Sequence, residues 1–188
     1  MKHNREFEIA WQGLKTGVHT FQYELTDKFI TEQAEKEVDF KDLDAQITLR
    51  FDKKNNFFLC HFDIDGSVTV ACDRCGDDFK LRLWDEFDLV IKLTGTEEAD
   101  ETDDDADVVF IPRSETVIDI SNWLFEFVLL SIPIQRVHPD KPDETPGCNP
   151  DVLKLLNQLS EPGEETKNDI WKGLDALKEK TNKKRKTK

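Results

Sequence analysis

The sequence predicts an α+β fold: an antiparallel, β-rich sheet or partial barrel packed around one apolar helix, with short C-terminal helices. Three observations predict it. From about residue 18 to residue 111, apolar side chains recur at every second position, the period of strands with one buried face. From Ile120 the apolar spacing changes to three and four, the period of a helix. Beyond Ile134, prolines and a glycine break the chain before two short helical patterns.

Each element has its own signal. His19, Phe21, Tyr23 and Leu25 alternate with polar residues, as do Ile47, Leu49 and Phe51. The polar run 53–56 then reads as a turn, and Phe58, Cys60, Phe62 and Ile64 as the returning strand of a hairpin. Asp65-Gly66 reads as a second turn, with Val68, Val70 and Cys72 continuing the alternation. Phe79, Leu81, Leu83, Phe87, Leu89, Ile91 and Leu93 all lie at odd positions. Asp85 breaks that series and predicts a bend or bulge. Val108–Ile111 is a short strand. Asp119 or Ser121 can cap a helix through Trp123, Leu124, Phe127, Val128 and Leu130, which Pro133 ends. Residues 151–159 and 168–179 are the short C-terminal helices, the second amphipathic through Trp171, Leu174 and Leu177.

Charge divides the 188 residues further. Residues 97–107 (EEADETDDDAD) hold eight acidic side chains and no basic one, so an acidic mobile loop is expected there. Residues 178–188 hold seven basic side chains and one acidic, a local +6 in a chain of formal charge −14, which leaves −20 for the rest. A basic disordered tail over 178–188 and a single domain over 1–177 follow. A wholly basic nucleic-acid-binding surface is excluded. The longest near-apolar run, 123–134, contains Glu126 and is well short of the roughly 20 residues that span a bilayer. The charged N-terminus has no apolar stretch behind it, so the expected location is the cytoplasm.

Cys72-Asp73-Arg74-Cys75-Gly76 has the form of a zinc knuckle. Two thiolates converge on one side of a tight turn, and the glycine takes a φ that lets backbone N–H groups face sulfur. Zn²⁺ takes four ligands. His138 and Cys148 lie in the proline-rich loop downstream, so Cys72, Cys75, His138 and Cys148 are a candidate Cys₃His set. Buried cysteines also serve as small hydrophobes, and Cys60, among phenylalanines, reads as core. A thioredoxin-like role is disfavoured, because that motif wants a helix start after it and strand periodicity follows here. There is no Gly-rich phosphate loop, Gly-x-Ser-x-Gly or His-Glu-x-x-His.

Three segments in this order resemble the YceD-type large ribosomal RNA subunit accumulation proteins, domain of unknown function 177. They are VTVACDRCGDDF at 68–79, IDISNWLFEFVLLSIPIQRVH at 118–138 and IWKGLDAL at 170–177; the opening WQGLKTG at 11–17 is similar too. The resemblance implies a non-enzymatic ribosome biogenesis factor supporting 23S rRNA accumulation and large-subunit assembly, with no catalytic residues. Many members carry a denser cysteine cluster after the Leu-Pro, where this chain has only His138 and Cys148.

Two partner classes are compatible with these features. Lys183, Lys184, Arg185 and Lys186 can neutralise rRNA phosphates on a large-subunit precursor. The acidic body can instead serve as an adaptor or chaperone for a small basic ribosomal protein, stabilised by zinc. Trp171, Leu174 and Leu177 are the candidate partner-facing stripe. A zinc enzyme needs an open coordination position and a nearby general base, and neither is visible. No membrane and no small-molecule substrate is expected.

Overall fold

In the computed structural model, residues 5–33, 38–95, 107–142 and 145–160 are described. The chain divides into two units, Met1–Gly147 and Cys148–Lys188. The expected single domain over 1–177, like the second C-terminal helix over 168–179, runs into residues outside the described ones.

Among the described residues, the first unit carries seven strands and two α-helices: β1 (Glu8–Ile9), β2 (Gly17–Thr26), α1 (Asp27–Gln33), β3 (Phe40–Lys53), β4 (Phe57–Ala71), β5 (Asp78–Thr94), β6 (Val108–Pro112), β7 (Ile118–Asp119) and α2 (Ser121–Leu130). Strands β2 to β6 form one sheet in sequence order, and β1 pairs with β7 in a second, two-stranded one. The architecture is the expected antiparallel-rich α+β arrangement. The hairpin between β3 and β4 turns at the polar run 53–56, closed by Lys54 N–H donating to the Phe57 carbonyl.

Three details depart from the alternation pattern. Strand β6 runs parallel to β5, because alternation reports which face is buried and carries nothing about strand direction. Asp65-Gly66 is not a turn. Gly66 lies inside β4 opposite Ala45, where an added Cβ would sit 2.5 Å from the Ala45 Cα and the Asp44 carbonyl oxygen. The glycine is there because another backbone comes close. Strand β5 passes Asp85 in unbroken register with β4. The bulge is instead in β3, between Lys41 and Asp44. There Asp42 takes φ +55°, and the Asp27 carboxylate accepts the Asp42 and Leu43 N–H groups at 3.1 and 2.8 Å.

The long strands bury one face. Ile47, Leu49, Phe51, Phe58, Phe62, Leu83 and Ile91 are fully buried. Helix α2 supplies the other half of the core through Leu124, Phe127 and Val128. Phe127 stands edge-on to Phe62 at 4.9 Å and stacks on Phe87 at 4.4 Å. Its start is fixed twice: the Asp119 carboxylate accepts the Ser121 N–H at 2.9 Å, and Ile120 N–H donates to the Phe7 carbonyl. The N-terminal segment seals one end, with Trp11 against Phe58 at 5.1 Å. Lys53 holds it there by donating to the Trp11 and Leu14 carbonyls, 2.8 Å each. The opposite sheet face points to solvent, as antiparallel sheets permit.

In the second unit, α3 (Pro150–Ser160) is described, matching the first expected C-terminal helix. Leu155 and Leu159 on it are exposed.

Candidate metal centre

Strands β4 and β5 stay paired up to Ala71, the last residue of β4, and Asp78, the first of β5. The loop between them therefore has fixed ends, and residues 72–77 must turn tightly. Cys72 N–H donates to the Asp77 carbonyl at 3.0 Å and Gly76 N–H to the Cys72 carbonyl at 2.8 Å. Gly76 takes φ +79°, a conformation that costs a glycine nothing and a β-carbon residue about 1–2 kcal/mol. Burial pushes the Cys72 thiol up. Backbone N–H groups of His138, Arg74 and Cys75, with the His138 imidazole, hydrogen-bond its sulfur and bring it from 9.0 down to about 6. Donors aimed at sulfur favour the thiolate, the form that ligates metal.

His138 reaches this turn from 63 residues away. The segment that delivers it is tied to the knuckle by backbone and side chain together. Asp73 N–H donates to the Arg136 carbonyl at 2.7 Å, and Arg136 N–H to the Asp73 carboxylate at 2.6 Å. The Arg136 guanidinium also bonds Asp39 at 2.6 Å. The His138 ring lies 4.6 Å from that of Phe79, which fixes the imidazole plane. Its Nδ1 stands 3.4 Å from the Cys75 Sγ. The ligand atoms of Cys72, Cys75 and His138 all lie within 4.8 Å of one another.

Cys148 opens the second unit and is buried. Gly147, which precedes it, lies so close to His138 that an added Cβ would sit 3.1 Å from the His138 Cβ and would meet the Pro139 carbonyl oxygen. Consecutive Cα atoms are about 3.8 Å apart, so the backbone passes His138 one residue before Cys148. None of the four cysteines forms a disulfide. Cys60 is core as expected: burial pushes its thiol up to about 12, a poor ligand. Trp171, Leu174, Leu177 and the basic run 183–186 lie outside the described residues.

Residues 60–178 match the family described as large ribosomal RNA subunit accumulation protein YceD, more than half of the chain. The chain belongs to the YceD family. The match takes in Cys72, Cys75, His138 and Cys148 together with the 170–177 segment, while the opening 11–17 lies before it. No curated protein and no solved structure matches. Among the described residues of this YceD-family chain, no helix is long and apolar enough to cross a membrane.

A second cluster escaped the sequence reading. On the solvent face, His61, Asp63 and Glu86 bring potential ligand atoms within 4.8 Å of one another. His61 Nδ1 lies 2.6 Å from an Asp88 oxygen, and that hydrogen bond raises the imidazole pKa above its usual 6.5. The four residues form two adjacent cross-strand pairs, His61 with Asp88 and Asp63 with Glu86. In the sequence, alternate charged residues on a strand read only as a solvated face. What brings these together is the β4–β5 register, which side-chain alternation alone does not specify.

Proposed function

We propose that this YceD-family chain is a non-enzymatic cytoplasmic factor in large ribosomal subunit assembly, supporting 23S rRNA accumulation, and that a structural Zn²⁺ fastens its β4–β5 hairpin. The convergence of Cys72, Cys75 and His138 carries the metal reading, with the family carrying the ribosomal one. The donor set suits the ion. Two thiolates and an imidazole are preferred zinc ligands, and the lowered Cys72 thiol supplies a thiolate near neutral pH. Cys148 is the fourth ligand in this reading. A Cys₃His set closes the coordination shell, so the ion holds structure and leaves no position for a substrate.

In this reading the run Lys183, Lys184, Arg185 and Lys186 binds phosphates of the precursor rRNA. Trp171, Leu174 and Leu177 form the stripe that docks on a partner. Replacing all four basic residues with Gln should lower the log–log salt slope of binding to large-subunit precursor particles by up to about 3, with no change in melting temperature. An unchanged slope and affinity would remove the direct RNA contact.

A second reading, an acidic adaptor for a small basic ribosomal protein, is favoured by one observation. Asp63, Asp65, Glu86 and Asp88 line the solvent face of two adjacent strands.

A further inference from the structure

We infer that the groove around Trp84, at the open edge of β5 beside β4, docks an arginine-bearing segment of a basic protein. The inference deepens the adaptor reading by naming its surface and the chemistry of its partner.

The groove has about 440 Å³ and is lined by Asp63, Ile64, Trp84, Asp85 and Glu86. Three of the five are carboxylates and none is basic. Trp84 is 74% exposed, so most of a large indole surface stands in water. A tryptophan among carboxylates is matched in chemistry by one side chain above others. Guanidinium stacks on an indole face and takes carboxylates through its fork of N–H donors. Lysine offers a point charge without the flat face, and an RNA phosphate meets three carboxylates of its own sign.

The cross-strand pairing supports a cationic occupant independently. Asp63 and Glu86 are directly opposed on neighbouring strands, and like charges so placed destabilise a sheet by a few tenths to about 1 kcal/mol. Arg50 lies 3.7 Å from Asp63, and Arg82 lies 3.2 Å from Asp65. Those cations serve the two aspartates of β4. The carboxylate of Glu86 is 73% exposed, with His61 3.9 Å away. A cation entering beside Trp84 relieves the repulsion that the register imposes.

The position also suits an extended segment. Strand β6 pairs with β5 only from Val90 onward. Among the described strands none pairs with the far edge of β5 between Asp78 and Leu89, where Trp84, Asp85 and Glu86 sit. An extended chain can lie along such an edge, and carboxylates on it exclude uncharged strands while admitting basic ones.

Calorimetric titration of the full chain with a synthetic peptide of alternating Arg and Ser tests this, with the citrulline-for-Arg peptide as its uncharged counterpart. The Arg peptide should bind and the citrulline peptide should not. Trp84→Ala should weaken binding by about thirty-fold, the loss expected of a buried aromatic anchor. The double variant Asp85→Asn, Glu86→Gln should weaken it about tenfold at low salt and flatten its salt dependence. Both variants alter exposed side chains; Trp84→Ala should keep the parent melting temperature, and the double variant should keep or slightly raise it, because it removes the Asp63–Glu86 repulsion. Arg-peptide binding that neither variant changes overturns the inference. So does a large-subunit rRNA fragment that competes with the peptide and loses affinity in the same variants. Large-subunit rRNA levels in cells carrying these variants test the adaptor reading separately, so failure of that role and failure of the surface are distinguishable.

Discussion

The Sγ of Cys75 stands 3.4 Å from Nδ1 of His138, across 63 residues of chain. The contact exists because Arg136 is bonded to Asp73 through backbone and side chain, which sets the next residues of that segment against the knuckle. Polar groups brought together at such separation must offset the entropy of ordering the loop. In the zinc reading, a shared metal ion would supply that free energy.

The metal reading therefore predicts one Zn²⁺ per chain, counted by elemental analysis after purification without added metal. Cobalt substitution should give the visible bands of a tetrahedral thiolate site. Cys75→Ser and His138→Ala should each lower metal affinity and melting temperature, and Cys148→Ser should match them. A Cys148→Ser variant that binds Zn²⁺ as tightly as the parent would leave only the three ligands of the first unit.

The strand interior offers a sharper test of packing. Gly66→Ala places a Cβ 2.5 Å from the Ala45 Cα and the Asp44 carbonyl oxygen. Those are backbone atoms and cannot swing aside. The substitution should cost about 1–3 kcal/mol or more, read as a lower denaturant midpoint with unchanged slope. A neutral or stabilising result would mean that the strands separate more easily there than their register implies.

This glycine also marks where sequence reasoning stops. Asp-Gly is a strong turn signal, yet buried residues at even positions run unbroken from Phe58 to Val70 on both sides of it. Parity was the better guide. Asp85 shows the opposite limit. A charge in an apolar series suggested a bulge, but the strand stays regular and simply leaves the carboxylate exposed where no described strand flanks β5. The parallel β6 was illegible because direction leaves no mark on alternation. The knuckle was legible because its chemistry is local, and His138 only because metal chemistry demanded further ligands. The groove at Trp84 was not, since its lining comes from two strands whose pairing register the alternation leaves open.

Phe127 links the helix to the sheet through two rings, Phe62 and Phe87. Phe127→Ala should cost about 3–5 kcal/mol, the transfer and cavity loss of a buried phenylalanine. Phe127→Leu should recover most of it by refilling the volume. Chemical denaturation of both variants checks the ranking. Equal stability of the two would show that the helix is held mainly by its ends, at Asp119 and Phe7.

The last prediction concerns pH. The hydrogen bond from His61 to Asp88 raises the imidazole pKa above 6.5; burial and the nearby Arg50 oppose it, and the charges of Asp88 and Asp63 add to it. Because the folded pKa lies above the unfolded one, the folded state binds the proton more tightly. The stabilisation is therefore fully present below pH 6.5 and is lost as pH rises through the higher folded value. Its size should be about 0.5 kcal/mol, as for other partly exposed ion pairs. Asp88→Asn removes the acceptor charge, so it should lower the His61 pKa and flatten this part of the stability profile. Proton NMR titration of the His61 ring, alongside melting at a series of pH values, reads both effects. A His61 that titrates at or below 6.5 in the parent would show that Asp63 and Glu86 stand opposed without a compensating charge between them. The repulsion at the mouth of the Trp84 groove would then be larger, and an arginine entering it would bind more tightly.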